Sequence, residues 1–390
     1  MNFEFATAAR LIFGQGSIRQ LADLSQTFGS RVFIVTGKDS SRTTAALQQL
    51  TESGRQLTHF SILAEPTLEE IRLGASIAQK TQAQLVIGIG GGSAIDAGKA
   101  IAAIAQQPED IMHYLEVIGK GQPLTAAPLP YIAIPTTAGT GAEVTRNAVL
   151  SSTEHGVKVS LRHAAMLPQI ALVDPELALH CPPHITATSG MDALTQCLEA
   201  YVSCRAQPMT DALCRDGIQR AVRSLELVVS QGHSLPARED MALAALFSGI
   251  ALANAGLGAV HGFASPIGGQ FRAPHGAICA ALLAPVWEAN LEAVRRIGSP
   301  ETAARFQSAA ALLTQDPAAE PEAALPYLRA LTQRLNIPKL HTWGIKEEHL
   351  ADIATKAAQA SSMKGNPVPL THSALIHALR GALDSDSSSP

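Results

Sequence analysis

The chain has 390 residues, 46% of them hydrophobic, and a formal net charge of -4. That is enough apolar sequence for a large core and more length than one core usually organises, so two domains are expected and bulk disorder is excluded. The near-balanced charge, with no block of Lys and Arg, excludes an electrostatic footprint for nucleic acid or an anionic membrane. Small molecules and further copies of the chain are the expected partners.

The opening MNFEFATAARLIFGQGS carries Glu4 and lacks the basic start, apolar run and small-residue cleavage pattern of a signal peptide. No window reaches about 18 uninterrupted apolar residues, since even Ala242 to Ala259 is broken by Ser248 and Asn254, and a protein without a membrane span is expected. The five cysteines (Cys181, Cys197, Cys204, Cys214, Cys279) are odd in number and show no paired metal spacing. They are expected as reduced thiols of a cytoplasmic protein.

Through the first 175 residues, short β-branched runs alternate with helical patterns. Strands are predicted at Arg31 to Val35, Leu57 to Ile62, Gln84 to Ile89 and Tyr131 to Ile134, with helices at Thr43 to Ser53, Thr67 to Thr81 and Ala94 to Ala105. The alternation predicts a parallel sheet with helices on both faces, and VFIV and LVIGI are apolar at every position, as strands covered on both faces should be. After Asp174-Pro175 the texture becomes Ala/Leu-rich and helical, over His184 to Ser203, Pro208 to Val229, Ala237 to Ala253 and several stretches beyond Ala277. The expected division is an α/β domain over 1–178, an all-α domain over 179–383 and a polar tail, DSDSSSP, over 384–390.

Within QLVIGIGGGSAIDAGKA a strand runs into Gly90-Gly91-Gly92-Ser93 and then a helix. Consecutive glycines let backbone N–H groups approach an anion, and the helix N-terminus adds partial positive charge, so the turn is a candidate phosphate cradle with Ser93 as N-cap or phosphate contact. A tight strand-to-helix turn of no further consequence is the other reading of the same glycines. The motif is neither a P-loop nor the standard dinucleotide fingerprint, because Ser93 stands where the last glycine would be. A second polar loop, Pro135 to Glu143 (PTTAGTGAE), follows the strand at Tyr131 to Ile134, where open α/β sheets bind ligands.

In the stretch from Asn254 to Asn290, His261 and His275 stand 14 residues apart beside Gly262 and Gly276, a pattern expected to present two imidazoles from backbone turns. Asp192 and Gln196 are an i, i+4 pair on one helix face and complete an oxygen/nitrogen set suited to Fe(II), Zn(II) or another divalent first-row ion. Taken singly each member has an ordinary reading. The chain holds 13 histidines, among them His113, His155, His163, His180 and His184, and spacing alone does not select this pair.

IGIGGGSAIDAGKAIA, IPTTAGTGAEVTRNAVL, ALVDPEL, SGMDALTQCLEAYVS and HGFASPIGGQFRAPHGAICAALL, in this order, resemble the iron-containing (group III) alcohol dehydrogenases. The resemblance covers most of the chain and implies a dinucleotide-binding α/β N-terminal domain, a helical C-terminal domain that holds the metal, and a dimer. It makes Asp192, His261 and His275 the metal ligands and catalytic centre, Gly91, Gly92 and Ser93 pyrophosphate contacts, and Thr136, Thr137 and Thr140 the lining of the nucleotide site. Lys158 resembles the family lysine that approaches the cofactor, and Asp96 is placed with the cofactor-binding set. The chain departs from many members at Gln196 and at Ser265, where each carries a further histidine, so Gln196 is expected as a weak amide ligand or a site replaced by water.

At the strand end VFIVTGKDSSR, Gly37 replaces the carboxylate that usually accepts from the adenosine ribose, and Lys38, Ser40, Ser41 and Arg42 follow, with Asp39 among them. NADP(H) or dual use with NAD(H) is therefore expected, through Gly37 and Ser41. The expected reaction is metal-assisted hydride transfer between NAD(P) and a primary or secondary alcohol or aldehyde. The alternatives are a maleylacetate reductase-like enzyme, for which Arg146, Arg162 and Arg272 are the candidate carboxylate contacts, a metal-assisted lyase resembling dehydroquinate synthase, and a non-catalytic nucleotide binder.

Overall fold

The computed structural model describes residues 2–38 and 43–383. Asp39, Ser40, Ser41, Arg42 and the tail 384–390 lie outside the described residues. The chain forms two compact units, one of Ala6–Cys181 with His233–Ala242, the other of Met1–Phe5, Pro182–Gly232 and Leu243–Pro390.

The first unit contains strands β1 (Arg10–Phe13), β2 (Arg31–Gly37), β3 (Gln56–Ile62), β4 (Leu85–Gly90), β5 (Tyr131–Pro135), β6 (Asn147–Ser152), β7 (Val157–Arg162) and β8 (Ile170–Val173), and helices α1 (Leu21–Ser25), α2 (Thr44–Glu52), α3 (Leu68–Lys80) and α4 (Gly92–Ile104). Six strands make one sheet in the order β1-β8-β5-β4-β2-β3. Every pairing in it is parallel. Period-two alternation divides its side chains between two cores: Phe33, Val35 and Val86 pack with α3 and α4 residues such as Ile71 and Ile101. Val32, Ile34, Leu85, Ile87 and Ile132 pack on the other face with Leu21, Ala46 and Leu50. Thr67 caps α3, its side chain accepting from Glu70 N–H at 3.2 Å while Glu70 Oε2 accepts from Thr67 N–H at 2.8 Å.

From β2 the chain passes outward to β3, and from β4 it passes the other way to β5. The carboxyl ends of β2 and β4 therefore flank the point where the strand order reverses, the crevice at which such sheets bind ligands. Gly37 and Gly90 stand at those two ends.

The second unit is helical: α5 (Pro183–Val202), α6 (Pro208–Ser230), α7 (Leu235–Ala255), whose first turns belong to the first unit, α8 (Ala259–Phe271), α9 (His275–Ile297), α10 (Pro300–Thr314), α11 (Ala324–Arg334), α12 (Leu350–Gln359) and α13 (His372–Leu383). α9 is long and apolar enough to cross a membrane, but 83% of its apolar window is buried, so its composition is that of a helix packed on all sides.

Four strands and two helices, α8 and the five-residue α1, differ from the expectation. β1 and β8 have only four residues each, too few for a readable pattern, and are held by mutual pairing from Arg10↔Ile170 to Phe13↔Val173. The β6–β7 hairpin turns through Thr153 to Gly156, which lacks the usual two-residue turn signature. α8 was obscured by Gly262, Pro266, Gly268 and Gly269, all of which it accommodates.

Candidate metal centre and phosphate cradle

α5 is buried almost continuously from Gly190 to Val202, so its polar residues there must find partners inside the protein. Asp192, Gln196 and Glu199 fall on successive turns of it. His261 is the third residue of α8 and His275 the first of α9, so helix N-termini present the imidazoles, and the expectation of loop turns is corrected. The adjacent glycines serve packing instead. A Cβ on Gly276 would lie 2.5 Å from the Thr188 carbonyl oxygen on α5, so only glycine lets α9 approach the helix that carries Asp192.

Asp192 Oδ1 lies 3.3 Å from His261 Nε2 and 3.6 Å from His275 Nε2. It is buried and has no hydrogen-bond partner, which is costly for a carboxylate oxygen unless a cation completes it. His261 Nδ1 is 2.6 Å from Glu199 Oε2, so Nδ1–H donates outward and Nε2 faces Asp192. Glu199 Oε1 accepts from Val260 N–H at 2.7 Å as well. Cys279, one turn beyond His275, brings Sγ to 3.7 Å from each Nε2. The donor atoms of Asp192, His261, His275 and Cys279 all lie within 4.8 Å of one another. The His275 side chain, 36% exposed, marks the open side of this otherwise buried group.

The electrostatics favour a cation. Burial alone would lower both imidazoles, yet Cys279, Glu199 and Asp192 hold His261 well above its ordinary value, and Cys279 and Asp192 push His275 up to about 9. Burial would raise the Asp192 carboxyl, but His275 and His261 hold it below its ordinary value. A divalent ion can replace the protons that this site draws in. An orphaned carboxylate oxygen, converging imidazole nitrogens and a carboxylate behind one of them fit a divalent first-row metal.

Gln196 is buried beside Asp192. Its Oε1 accepts from Ser248 Oγ at 2.8 Å and its Nε2 is 3.5 Å from Asp192 Oδ2. Glu199, Ser248 and Cys279 were not singled out from sequence for this site. The available signals were spacing alone: Glu199 is seven residues from Asp192, and Cys279 is four from His275.

In the first unit, Gly91 is the N-cap of α4 with no side-chain cap, and Ser93 is the second helical residue instead of the cap. Among the described residues no side chain caps this helix start, as an anion cradle requires. Thr136 N–H donates to Gly90 O at 2.8 Å. The nearest atoms to a Cβ built on Gly91 belong to Thr137, and on Gly92 to Thr140 at 2.9 Å, so the structure gathers Gly90 to Gly92 with the threonine loop. Gly37 borders the same turn, its nitrogen 3.3 Å from where a Gly90 Cβ would sit. Asp96 Oδ2 accepts from Val149 N–H at 3.0 Å on β6. Lys158, on β7, donates to Glu65 at 2.6 Å. Fully buried Lys99 donates to Ala142 O, Thr145 Oγ1 and Asn147 O at 2.7, 2.9 and 2.8 Å and so ties the threonine loop to α4, a role that its place in an Ala/Gly-rich helix does not signal.

Family models match both the α/β and the helical part of the chain. Residues 8–175 match the family described as iron-containing alcohol dehydrogenase, and residues 186–383 match the C-terminal part of the Fe-containing alcohol dehydrogenase family. Alcohol dehydrogenase 4 of Saccharomyces cerevisiae (strain ATCC 204508 / S288c) is 34% identical over 382 residues, covering 95% of this chain and 96% of that protein. The 1,3-propanediol dehydrogenase of Klebsiella pneumoniae is 34% identical over 382 residues, covering 93% and 96%. A crystal structure of 1,3-propanediol oxidoreductase superposes with a TM-score of 0.91 at 31% identity, covering 98% of this chain and 100% of that one. Sulfoacetaldehyde reductase from Bifidobacterium kashiwanohense, solved with NAD+, gives 0.86 at 27% identity, covering 99% and 100%.

The fold and these matches define an oxidoreductase that acts on alcohols. The chain belongs to the iron-containing alcohol dehydrogenase family. The maleylacetate reductase-like and lyase alternatives are not favoured.

Proposed function

We propose that the protein is a divalent-metal-dependent NAD(P) alcohol dehydrogenase or aldehyde reductase whose metal is held by Asp192, His261 and His275. The observation that carries this reading is the buried, unpartnered Asp192 Oδ1 facing two imidazole nitrogens at 3.3 and 3.6 Å. Iron(II) is the ion that the family name indicates, and Zn(II) suits the same donors. A bound ion supplies Lewis acidity to a substrate oxygen, and a bound nicotinamide accepts or returns hydride.

The chain's own residues do the holding. Glu199 fixes the His261 tautomer, Gly276 sets the spacing of α9 from α5, and the open side at His275 admits a small alcohol or aldehyde. In the first unit the N–H groups of Gly91, Gly92 and Ser93 receive the pyrophosphate, Thr136, Thr137 and Thr140 line the nucleotide, and Asp96 and Lys158 approach the cofactor, Asp96 while accepting from Val149 and Lys158 while donating to Glu65. Among the described residues a Cβ on Gly37 would meet nothing within 4 Å, and a glycine in place of the usual carboxylate at the end of β2, with Ser41 four residues on, supports use of NADP(H) alongside NAD(H). A homodimer in the cytoplasm is the proposed state.

The test is metal analysis of the purified protein together with a panel of short aldehydes and alcohols assayed with NADH, NADPH and their oxidised forms. Metal-dependent turnover is expected. A net change in nicotinamide absorbance also separates a dehydrogenase from a lyase that retains its cofactor.

A further inference from the structure

Resting on the metal-site reading above, we propose that Cys279 Sγ is the fourth protein donor to the ion, and that Gln196 is a positioning residue for Asp192. The thiol belongs to the same α9 face as His275, is completely buried, and stands 3.7 Å from both Nε2 atoms. A single S–H can point at only one acceptor. Equal distances to two nitrogens, with Asp192 in the same group, are what a sulfur at one vertex of a shared polyhedron produces.

The separations fit such a polyhedron. Tetrahedral coordination with metal–nitrogen and metal–oxygen distances of about 2.0–2.2 Å and metal–sulfur of about 2.3 Å sets nitrogen–sulfur edges at about 3.6 Å and nitrogen–oxygen edges at about 3.3–3.5 Å. The structure has 3.7 and 3.7 Å for the first kind, and 3.3 and 3.6 Å for the second. A second observation points into the same space: Asp192 Oδ1 is buried there without a hydrogen bond. Gln196 is otherwise engaged, its oxygen accepting from Ser248 and its nitrogen turned to Asp192 Oδ2, which orients that carboxylate.

On ligation the thiol gives its proton to solvent as the sulfur–metal bond forms, with no change of oxidation state. A thiolate donor favours Zn(II) and Co(II) over ions that prefer all-oxygen sites.

The experiment adds Co(II) alone to the metal-free full chain under reducing, anaerobic conditions and records its spectrum. The wild type is expected to show both the visible bands of bound Co(II) and an intense near-ultraviolet thiolate-to-cobalt band. Cys279→Ser is expected to keep the visible bands and lose the near-ultraviolet one, Cys279→Ala to do the same, and Gln196→Ala to retain both bands but to bind Co(II) more weakly in titration, because Asp192 loses the amide that orients it; unchanged affinity in Gln196→Ala overturns the positioning role. Far-ultraviolet circular dichroism confirms that each variant is folded. Visible bands without the charge-transfer band in the wild type, or a charge-transfer band that survives in both Cys279 variants, overturns the proposal while leaving the three-ligand site standing. Undiminished Co(II) binding in Asp192→Ala and His261→Ala would instead overturn the site itself.

Discussion

Glu199 serves two groups at the start of α8, accepting from the His261 imidazole at 2.6 Å and from Val260 N–H at 2.7 Å. Removing it frees the imidazole to rotate or change tautomer without touching a ligand. Glu199→Gln is therefore expected to weaken metal binding by about 10–100-fold, read by competition with a chelator, while circular dichroism stays native. A second buried carboxylate, in the first unit, gives a pH signature of its own. Burial raises the Glu143 carboxyl to about 7, against its backbone hydrogen bond and the opposing pull of Lys99. The folded state thus keeps a proton that the unfolded chain has released, so this contribution is complete below about pH 4.5 and lost as pH rises through about 7. Glu143→Gln cannot titrate. Denaturation at pH 5 and pH 7.5 is expected to show the wild type losing roughly 1–3 kcal/mol more stability than the variant over that interval. Asp192, His261 and His275 were all visible in the sequence as residue types suited to a metal, but choosing two imidazoles from 13 required the resemblance. Cys279 was missed because a single buried thiol normally reads as a small hydrophobe.

At the scale of elements, two helix approaches decide whether the sites exist. Gly276 brings α9 against the Thr188 carbonyl, a backbone atom that cannot rotate away. Gly276→Ala is expected to push α9 off α5, carry His275 from Asp192, destabilise the protein by about 1–3 kcal/mol and lower its metal content, all measurable on the same preparation. At the other site, a side chain on Gly92 collides with Thr140 at 2.9 Å. Gly92→Ala is expected to raise the KM for the nicotinamide cofactor about tenfold, a loss of about 1.4 kcal/mol, with metal content unchanged. Opposite patterns in these two variants would separate the roles of the two glycines. Elements with strong periodicity were legible: β2, β4, α3 and α5 fall within two residues of their expected bounds. β1 and β8 were not, because four-residue strands take their identity from pairing partners remote in sequence. α8 was hidden because its glycines and Pro266 look like turn residues until the helices packed against them are known.

For the molecule as a whole, the parallel sheet and the helical unit were readable from the change of texture after Asp174-Pro175, since α/β alternation and Ala/Leu-rich helices bury their apolar residues with different periods. Cofactor preference was less readable. The residues that bear on it in the proposed reading are few, Gly37 at the end of β2, where a carboxylate is missing, and Asp39 two positions on. Gly37→Asp is expected to shift preference toward NAD(H), measured as the ratio of kcat/KM values for the two cofactors, because a carboxylate there repels a 2′-phosphate. Above both sites stands the proposed role of Asp192, His261 and His275, which is to hold a divalent ion on which alcohol oxidation depends. Metal content and turnover of wild type, Asp192→Ala and His261→Ala, purified side by side, test it most directly. About one equivalent of metal per chain is expected in the wild type, and loss of both metal and turnover in each folded variant; full metal content and full rate in either variant would show that these residues do not hold the ion.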